Sequence, residues 1–164
     1  MKKILVIGCC GAGKSVFSRK LNKLTGIPLT HLDNLYWNED KTIVPKEEFL
    51  FRLREAMSHS EWIIDGNYGS TMEMRINACD TIFFLDLPTE VCLDGIKQRR
   101  GKSRSDIPWI EDDAEADAEF VSFVERYNVD TRPKVVELLQ KYSDKSVIIF
   151  NSRKESEEYL KKMS

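Results

Sequence analysis

GCCGAGKS, Gly8–Ser15, directly follows the apolar run ILVI, Ile4–Ile7, and its reading decides the fold. Gly8 is followed by four variable positions and then by Gly13, Lys14 and Ser15. The glycines at 8, 11 and 13 let the chain turn so that successive N–H groups converge on one anion. A helix starting near Gly13 adds its positive end. Lys14 is placed to reach terminal phosphates, and Ser15 to offer its hydroxyl to Mg²⁺. The backbone from Gly8 through Gly11, Ala12, Gly13, Lys14 and Ser15 to Val16 is therefore the expected seat of ATP phosphates. The pair Cys9–Cys10 invites a thiol reading too, because a cysteine near a helix N-terminus and a lysine can have a lowered pKa. In this frame, however, the amides of the pair matter more than its sulfurs.

Strand and helix signals alternate along the chain. KKILVIGC, Lys2–Cys9, reads as a strand buried on both faces of a parallel sheet. A helix follows from Gly13 to about Leu24, ended by Gly26 and Pro28. PLTHLD, Pro28–Asp33, is a second strand, and Pro45 opens a helix with Phe49, Leu50, Leu53 and Met57 on one face. EWIIDG, Glu61–Gly66, and TIFFLDL, Thr81–Leu87, are the third and fourth strands, with a helical segment around Thr71–Asn77 between them. Thr89 is a candidate cap for a helix to about Arg100. A loop over Gly101–Ile110, helices over Asp113–Tyr127 and Pro133–Tyr142, a fifth strand at Ser146–Phe150 and a final helix from Lys154 complete the pattern. The acidic run EDDAEADAE suits the N-terminal half of a helix. Five parallel strands with crossover helices make a three-layer α/β domain, here one domain over residues 1–164.

The 164 residues suffice for a sizeable core, and 41% apolar with 32% charged residues is ordinary for a soluble globular chain. A net charge of −2 carries no nucleic-acid signature, so direct nucleic-acid binding is not expected. No apolar run approaches the roughly 20 residues that span a bilayer, and the N-terminus imitates a signal peptide only briefly. A cytoplasmic location without membrane attachment is the expectation. Cys9, Cys10, Cys79 and Cys92 form no C-x-x-C pair, and His31 and His59 lie far apart, which argues against structural zinc or a disulfide framework.

Magnesium at a phosphate loop needs a carboxylate besides Ser15. Asp33, Asp65 and Asp86 each follow a strand, on the side where open α/β sheets bind ligands. Asp65, in the pattern IID, is the first choice to hold Mg²⁺ through water, and Asp33, in HLDNLYW, is better placed to take a proton from an acceptor hydroxyl. The cluster Lys97, Arg99, Arg100, Lys102 and Arg104 is suited to a lid that closes over phosphates, with Arg99 and Arg100 as its catalytic candidates. Arg126 and Arg132, beyond the lid, are candidates to join them. Tyr36, Trp37, Tyr68 and Trp109 lie in the loops around the expected cleft, and His31 reads as a structural side chain.

Together, the phosphate loop, HLDNLYW, DGNYGSTMEMR, TIFFLDLP and the RR pair resemble the adenylate-kinase-related topology modulation proteins. These are a branch of the P-loop nucleoside and nucleotide kinase superfamily, and the likeness covers nearly the whole chain. The resemblance implies strand order 2-3-1-4-5, a short helical lid over about 99–132, and ATP with Mg²⁺ as cofactors. It also implies that Asp65 is the carboxylate beside the phosphate loop and that Asn151–Arg153, with Arg153 foremost, border the adenine. DGNYG stands where adenylate kinases carry D-G-F-P-R, so that segment's arginine has no counterpart here and the likeness does not point to AMP as acceptor. The expectation is an ATP-dependent kinase acting on a small-molecule acceptor, as a monomer or homodimer. The alternatives are a nucleotide-dependent regulator linked to DNA topology and a simple ATPase.

Overall fold

A computed structural model describes residues 1–104, 107, 109–110 and 114–164, with backbone only for 114–117. Its strands are β1 (Lys3–Gly8), β2 (Leu29–His31), β3 (Trp62–Asp65), β4 (Thr81–Leu85) and β5 (Ser146–Phe150). The helices are α1 (Lys14–Thr25), α2 (Leu32–Tyr36), α3 (Lys46–Ser58), α4 (Gly69–Ala78), α5 (Thr89–Arg99), α6 (Ala114–Asp130), α7 (Arg132–Lys141) and α8 (Arg153–Met163). The strands form one sheet in the order β2-β3-β1-β4-β5, every pair parallel, as expected for a three-layer α/β domain.

β1 is central because its apolar run satisfies both faces of the sheet. Ile4, Leu5, Val6 and Ile7 are all fully buried. Successive strand residues point to opposite sides. Ile4 and Val6 share a cluster with Phe17 and Leu21 of α1, Ile96 of α5, Val124 of α6 and Leu160 of α8. Leu5 and Ile7 share the other with Phe49 and Leu53 of α3, Met72 and Ile76 of α4 and Val135 of α7. Each such side chain contributes about 1.5–3 kcal/mol by leaving water. This double packing holds the end of β1, and so the loop after it, rigidly.

Local signals account for several boundaries. Gly26 ends α1 in the left-handed region at φ 73°, donating its N–H to Asn22 O. Ser152 caps α8 through the Glu155 N–H, while Glu155 Oε2 accepts from Asn151 N at 2.7 Å. Other expectations are corrected. β2 stops at His31, and Asp33 sits in the first turn of α2 rather than at a strand end. So short a helix has little stability of its own. It is held by Leu32, buried against Gly66, where an added Cβ would lie 2.8 Å from Leu32 Cβ. Thr89 does not cap α5, whose N-cap is Pro88; its Oγ1 instead accepts from Asn128 Nδ2. Ser105, Asp106 and Pro108 of the expected lid, and Glu111–Asp113 at the expected start of the sixth helix, lie outside the described residues. Among the described residues no helix is long and apolar enough to cross a membrane.

Candidate functional site

The loops that leave β1, β2 and β3 open onto one cleft of about 1620 Å³. A single small ligand usually occupies roughly 300–1,000 Å³, so there is room for a donor and an acceptor side by side. The described lining carries nine lysines and arginines against five acids, in a chain whose net charge is −2. The protein has thus concentrated positive charge where a polyanion would enter.

The loop between β1 and α1 has Gly8, Gly11 and Gly13 at φ 149°, 79° and 98°, conformations that a side chain would strain. Close packing adds a second reason for glycine. A Cβ on Gly11 would lie 2.0 Å from Cys92 O, and one on Gly95 would lie 2.1 Å from Gly11 O. The helix α5 therefore supports the loop backbone directly, through a glycine that the motif does not include. Gly95→Ala is expected to displace the loop, weakening ATP binding by about tenfold and costing roughly 1–3 kcal/mol of stability. Calorimetric titration with ATP and urea unfolding check both effects.

The N-cap of α1 is Gly13, which has no side chain to cap it, and the first turn of the helix contains no acidic residue. Its positive end lies at the cleft. The Lys14 ammonium donates to Cys9 O at 3.0 Å, and Gly8 N donates to Asn67 Oδ1 at 3.2 Å. Arg153, expected beside an adenine, donates to Gly11 O at 3.2 Å and Val91 O at 3.3 Å while also lining the cleft. It braces the loop against α5. The thiol reading takes a different form. Cys9 is buried, and contact with the Cys92 thiol together with burial pushes its pKa up, not down. Cys10 is half-buried and lines the cleft.

On the adjacent strand Asp65 is buried but reaches the cleft, and its Oδ2 lies 2.8 Å from Nδ1 of His31, its register partner on β2. His31 therefore orients a carboxylate expected at the metal, a more specific task than the packing role read from the sequence. Asp33 lines the cleft from α2. Its Oδ1 accepts from the Tyr68 hydroxyl, and its Oδ2 lies 3.7 Å from an Arg104 guanidinium nitrogen. Burial, then the charge of Asp33, pushes the Tyr68 phenol above its ordinary 10.0, so it stays a donor to the carboxylate. The linkage has a definite sign. Below pH 10.0 the phenol is protonated in both folded and unfolded chains. At higher pH only the unfolded chain ionises, and stability is lost. Tyr68→Phe is expected to make this alkaline loss shallower, as read by urea unfolding at about pH 9 and about pH 11.

Tyr68 has an unusual backbone, with φ 20° and ψ 84°. Arg75 explains how it persists. This fully buried guanidinium donates to Gly66 O at 2.9 Å, Asn67 O at 2.6 Å and Tyr68 O at 3.0 Å, and its Nε donates to Thr71 Oγ1 at 3.2 Å. Burial lowers its pKa to about 9, which still leaves it charged at neutral pH. Arg75 escaped the sequence reading although a signal was present. It lies on the stripe Met72, Arg75, Ile76 and Cys79, where helical spacing demands burial and only a fully bonded cation fits.

The arginine candidates separate. Arg99 lines the cleft, its guanidinium 5.3 Å from the Phe120 ring centroid. Lys102 and Arg104 line it too, whereas Arg100, Arg126 and Arg132 do not. Arg126 pairs with Asp130 one turn along its own helix at 2.7 Å. Arg132 makes a two-pronged bond to Asp86 at 2.8 and 2.7 Å, which also occupies the third carboxylate considered for magnesium. Arg104, read from sequence only as part of the cluster, is the lid arginine that reaches Asp33. No protein-family model matches the chain, and no curated protein matches it either.

Proposed function

We propose that the protein is an ATP-dependent phosphotransferase that moves the γ-phosphoryl group to a hydroxyl of a small-molecule acceptor. The observation that carries this reading is the opening of the glycine loop, Asp65 and Asp33 onto one cationic cleft at the carboxyl edge of a parallel sheet. The donor set suits a nucleotide polyphosphate with Mg²⁺. The N-terminal end of α1, Lys14 and Ser15 suit the phosphates, and Ser15 and Asp65 offer the one or two protein oxygens that Mg²⁺ ordinarily takes, Asp65 acting through water. When bound, the ion would neutralise charge on the β- and γ-phosphates.

Lys14 would exchange the Cys9 carbonyl for phosphate oxygens. An acceptor hydroxyl beside Asp33 would attack the γ-phosphorus as the bond to the bridging oxygen breaks, with ADP as leaving group and the hydroxyl proton passing to Asp33. Arg99 and Arg104 supply positive charge at the cleft for the oxygens of the moving group. Catalysis in this arrangement is positioning and electrostatics. The test is transfer of label from γ-labelled ATP to members of a panel of nucleosides, nucleotides, sugars and hydroxy acids. Label on an acceptor supports the proposal. ATP hydrolysis unaffected by every acceptor would reassign the protein as an ATPase, and failure to bind ATP would remove the reading altogether.

A further inference from the structure

Cys9 and Cys92 form a buried pair beneath the glycine loop that phosphoryl transfer does not use. Cys9 follows Gly8 at the end of β1, Cys92 sits in the first turn of α5, and both belong to one apolar cluster, at 3% and 1% exposure. Their side chains are in hydrogen-bonding contact, the Cys9 thiol donating to the Cys92 sulfur. Two cations are anchored on the backbone beside them. Lys14 Nζ donates to Cys9 O at 3.0 Å, and Arg153 Nη2 donates to Val91 O, next to Cys92, at 3.3 Å. The hydrogen bond from Cys9, helped by Lys14 and Arg153, holds Cys92 below the ordinary thiol range despite burial. A sulfur with thiolate character touching a second thiol is the arrangement from which disulfides form. Cys10, next in the chain, is half-buried at the cleft, so solvent comes within one residue of the pair.

The loop meets α5 at a second point as well. A Cβ on Gly11 would lie 2.0 Å from Cys92 O, so the backbone there has no room to move closer. A disulfide, at about 2.05 Å, is shorter than any non-bonded contact between two sulfurs. Closing it draws Cys9 toward α5 while Gly11 cannot follow, and the loop must tilt.

We propose that Cys9 and Cys92 are a modification site for hydrogen peroxide, and that the disulfide they form deforms the glycine loop. The Cys92 sulfur, as thiolate, attacks one peroxide oxygen. The O–O bond breaks, and the departing hydroxide takes up the proton that the thiol had released. The Cys9 sulfur then attacks the Cys92 sulfur, forming S–S as the S–O bond breaks, and the Cys9 proton leaves with that oxygen as a second water. Two thiols lose two electrons and one peroxide becomes two waters. The bond is independent of the phosphotransferase reading, whereas its consequence, loss of ATP binding, rests on it.

The test treats the reduced protein with hydrogen peroxide and maps its disulfides by mass spectrometry of non-reduced peptides. A Cys9–Cys92 crosslink that dithiothreitol reverses is expected, with Cys79, buried to the same 3% in the other cluster, left as a thiol. Amide hydrogen exchange over residues 8–15 should quicken by about tenfold in the crosslinked protein. Its ATP affinity in calorimetric titration should fall at least about tenfold. No crosslink, a crosslink through Cys10 or Cys79 instead, or unchanged exchange over the loop would overturn the proposal. So would an equal loss of ATP affinity when Cys92→Ser is treated with peroxide, since Cys10 would then be the sensitive thiol. Unchanged ATP affinity in the crosslinked protein removes the regulatory consequence. If the reduced protein binds no ATP, the phosphotransferase reading falls, and the crosslink and the exchange rates still decide the site.

Discussion

Lys14→Ala is expected to abolish ATP-dependent phosphoryl transfer, lowering turnover by at least about 10²–10³-fold while the protein stays folded. Both halves of this expectation follow from where the side chain sits. Lys14 opens α1 directly after the Gly13 N-cap and lines the cleft, so its ammonium is placed for the expected phosphates. It donates to Cys9 O in a part-buried side-chain-to-backbone bond, a single hydrogen bond and not apolar packing. Losing it should cost the fold less than about 1 kcal/mol, since a net hydrogen bond contributes about that much. Turnover with γ-labelled ATP and thermal unfolding read the two quantities separately. Undiminished transfer in the variant would refute the assignment of the loop. Lys14→Arg is not expected to rescue it, because a planar fork does not reproduce a compact ammonium inside a tight loop.

Arg75→Met is the expected large effect on stability, a loss of about 3–5 kcal/mol. The thioether fills most of the volume but donates nothing. Three consecutive carbonyls, Gly66 O, Asn67 O and Tyr68 O, then lose their donor at a position with no solvent exposure. For a domain of ordinary stability, about 5–15 kcal/mol, that is a substantial fraction of the total. The loop it clamps also carries Tyr68, in its unusual conformation, and Asn67, which accepts from Gly8. Acceptor and phosphate sites should therefore loosen together. The urea midpoint measures the first effect; a midpoint within error of the parent's would show that the clamp carries little energy.

Much of this fold was legible in the chain because its signals are local. Apolar runs marked β1, β3, β4 and β5 to within a few residues, and in β1, β3 and β4, buried on both faces, few polar positions blur the signal. The α2 helix was not legible. HLDNLY has no helical period of its own and depends on Leu32 packing beneath Gly66, a residue 34 positions away. Within the site, Asp33 and Asp65 could be named because they follow strands. Their partners could not, because His31–Asp65 depends on strand register and Tyr68–Asp33 on the path of two loops. The arginines show the same limit. A run such as RRGKSR advertises positive charge without saying which guanidinium faces the cleft, and the structure puts Arg99 and Arg104 there while spending Arg132 on Asp86.

The sequence by itself determined the unit of β1, glycine loop and α1, because every part of it is contiguous: a buried strand, glycines for positive φ, and a helix start with no acid in its first turn. Only the tertiary structure decided what supports that loop and what shares its cleft. Gly95 reaches Gly11 across 84 positions of chain, and Arg153 reaches it across 142. Periodicity encodes which face of an element is buried, but not which element it is buried against. That second choice is made by strand order and crossover paths, and it is what turned Cys9 into a buried thiol beside Cys92 and brought Lys14, Asp33, Tyr36 and Trp37 to the lining of one cleft.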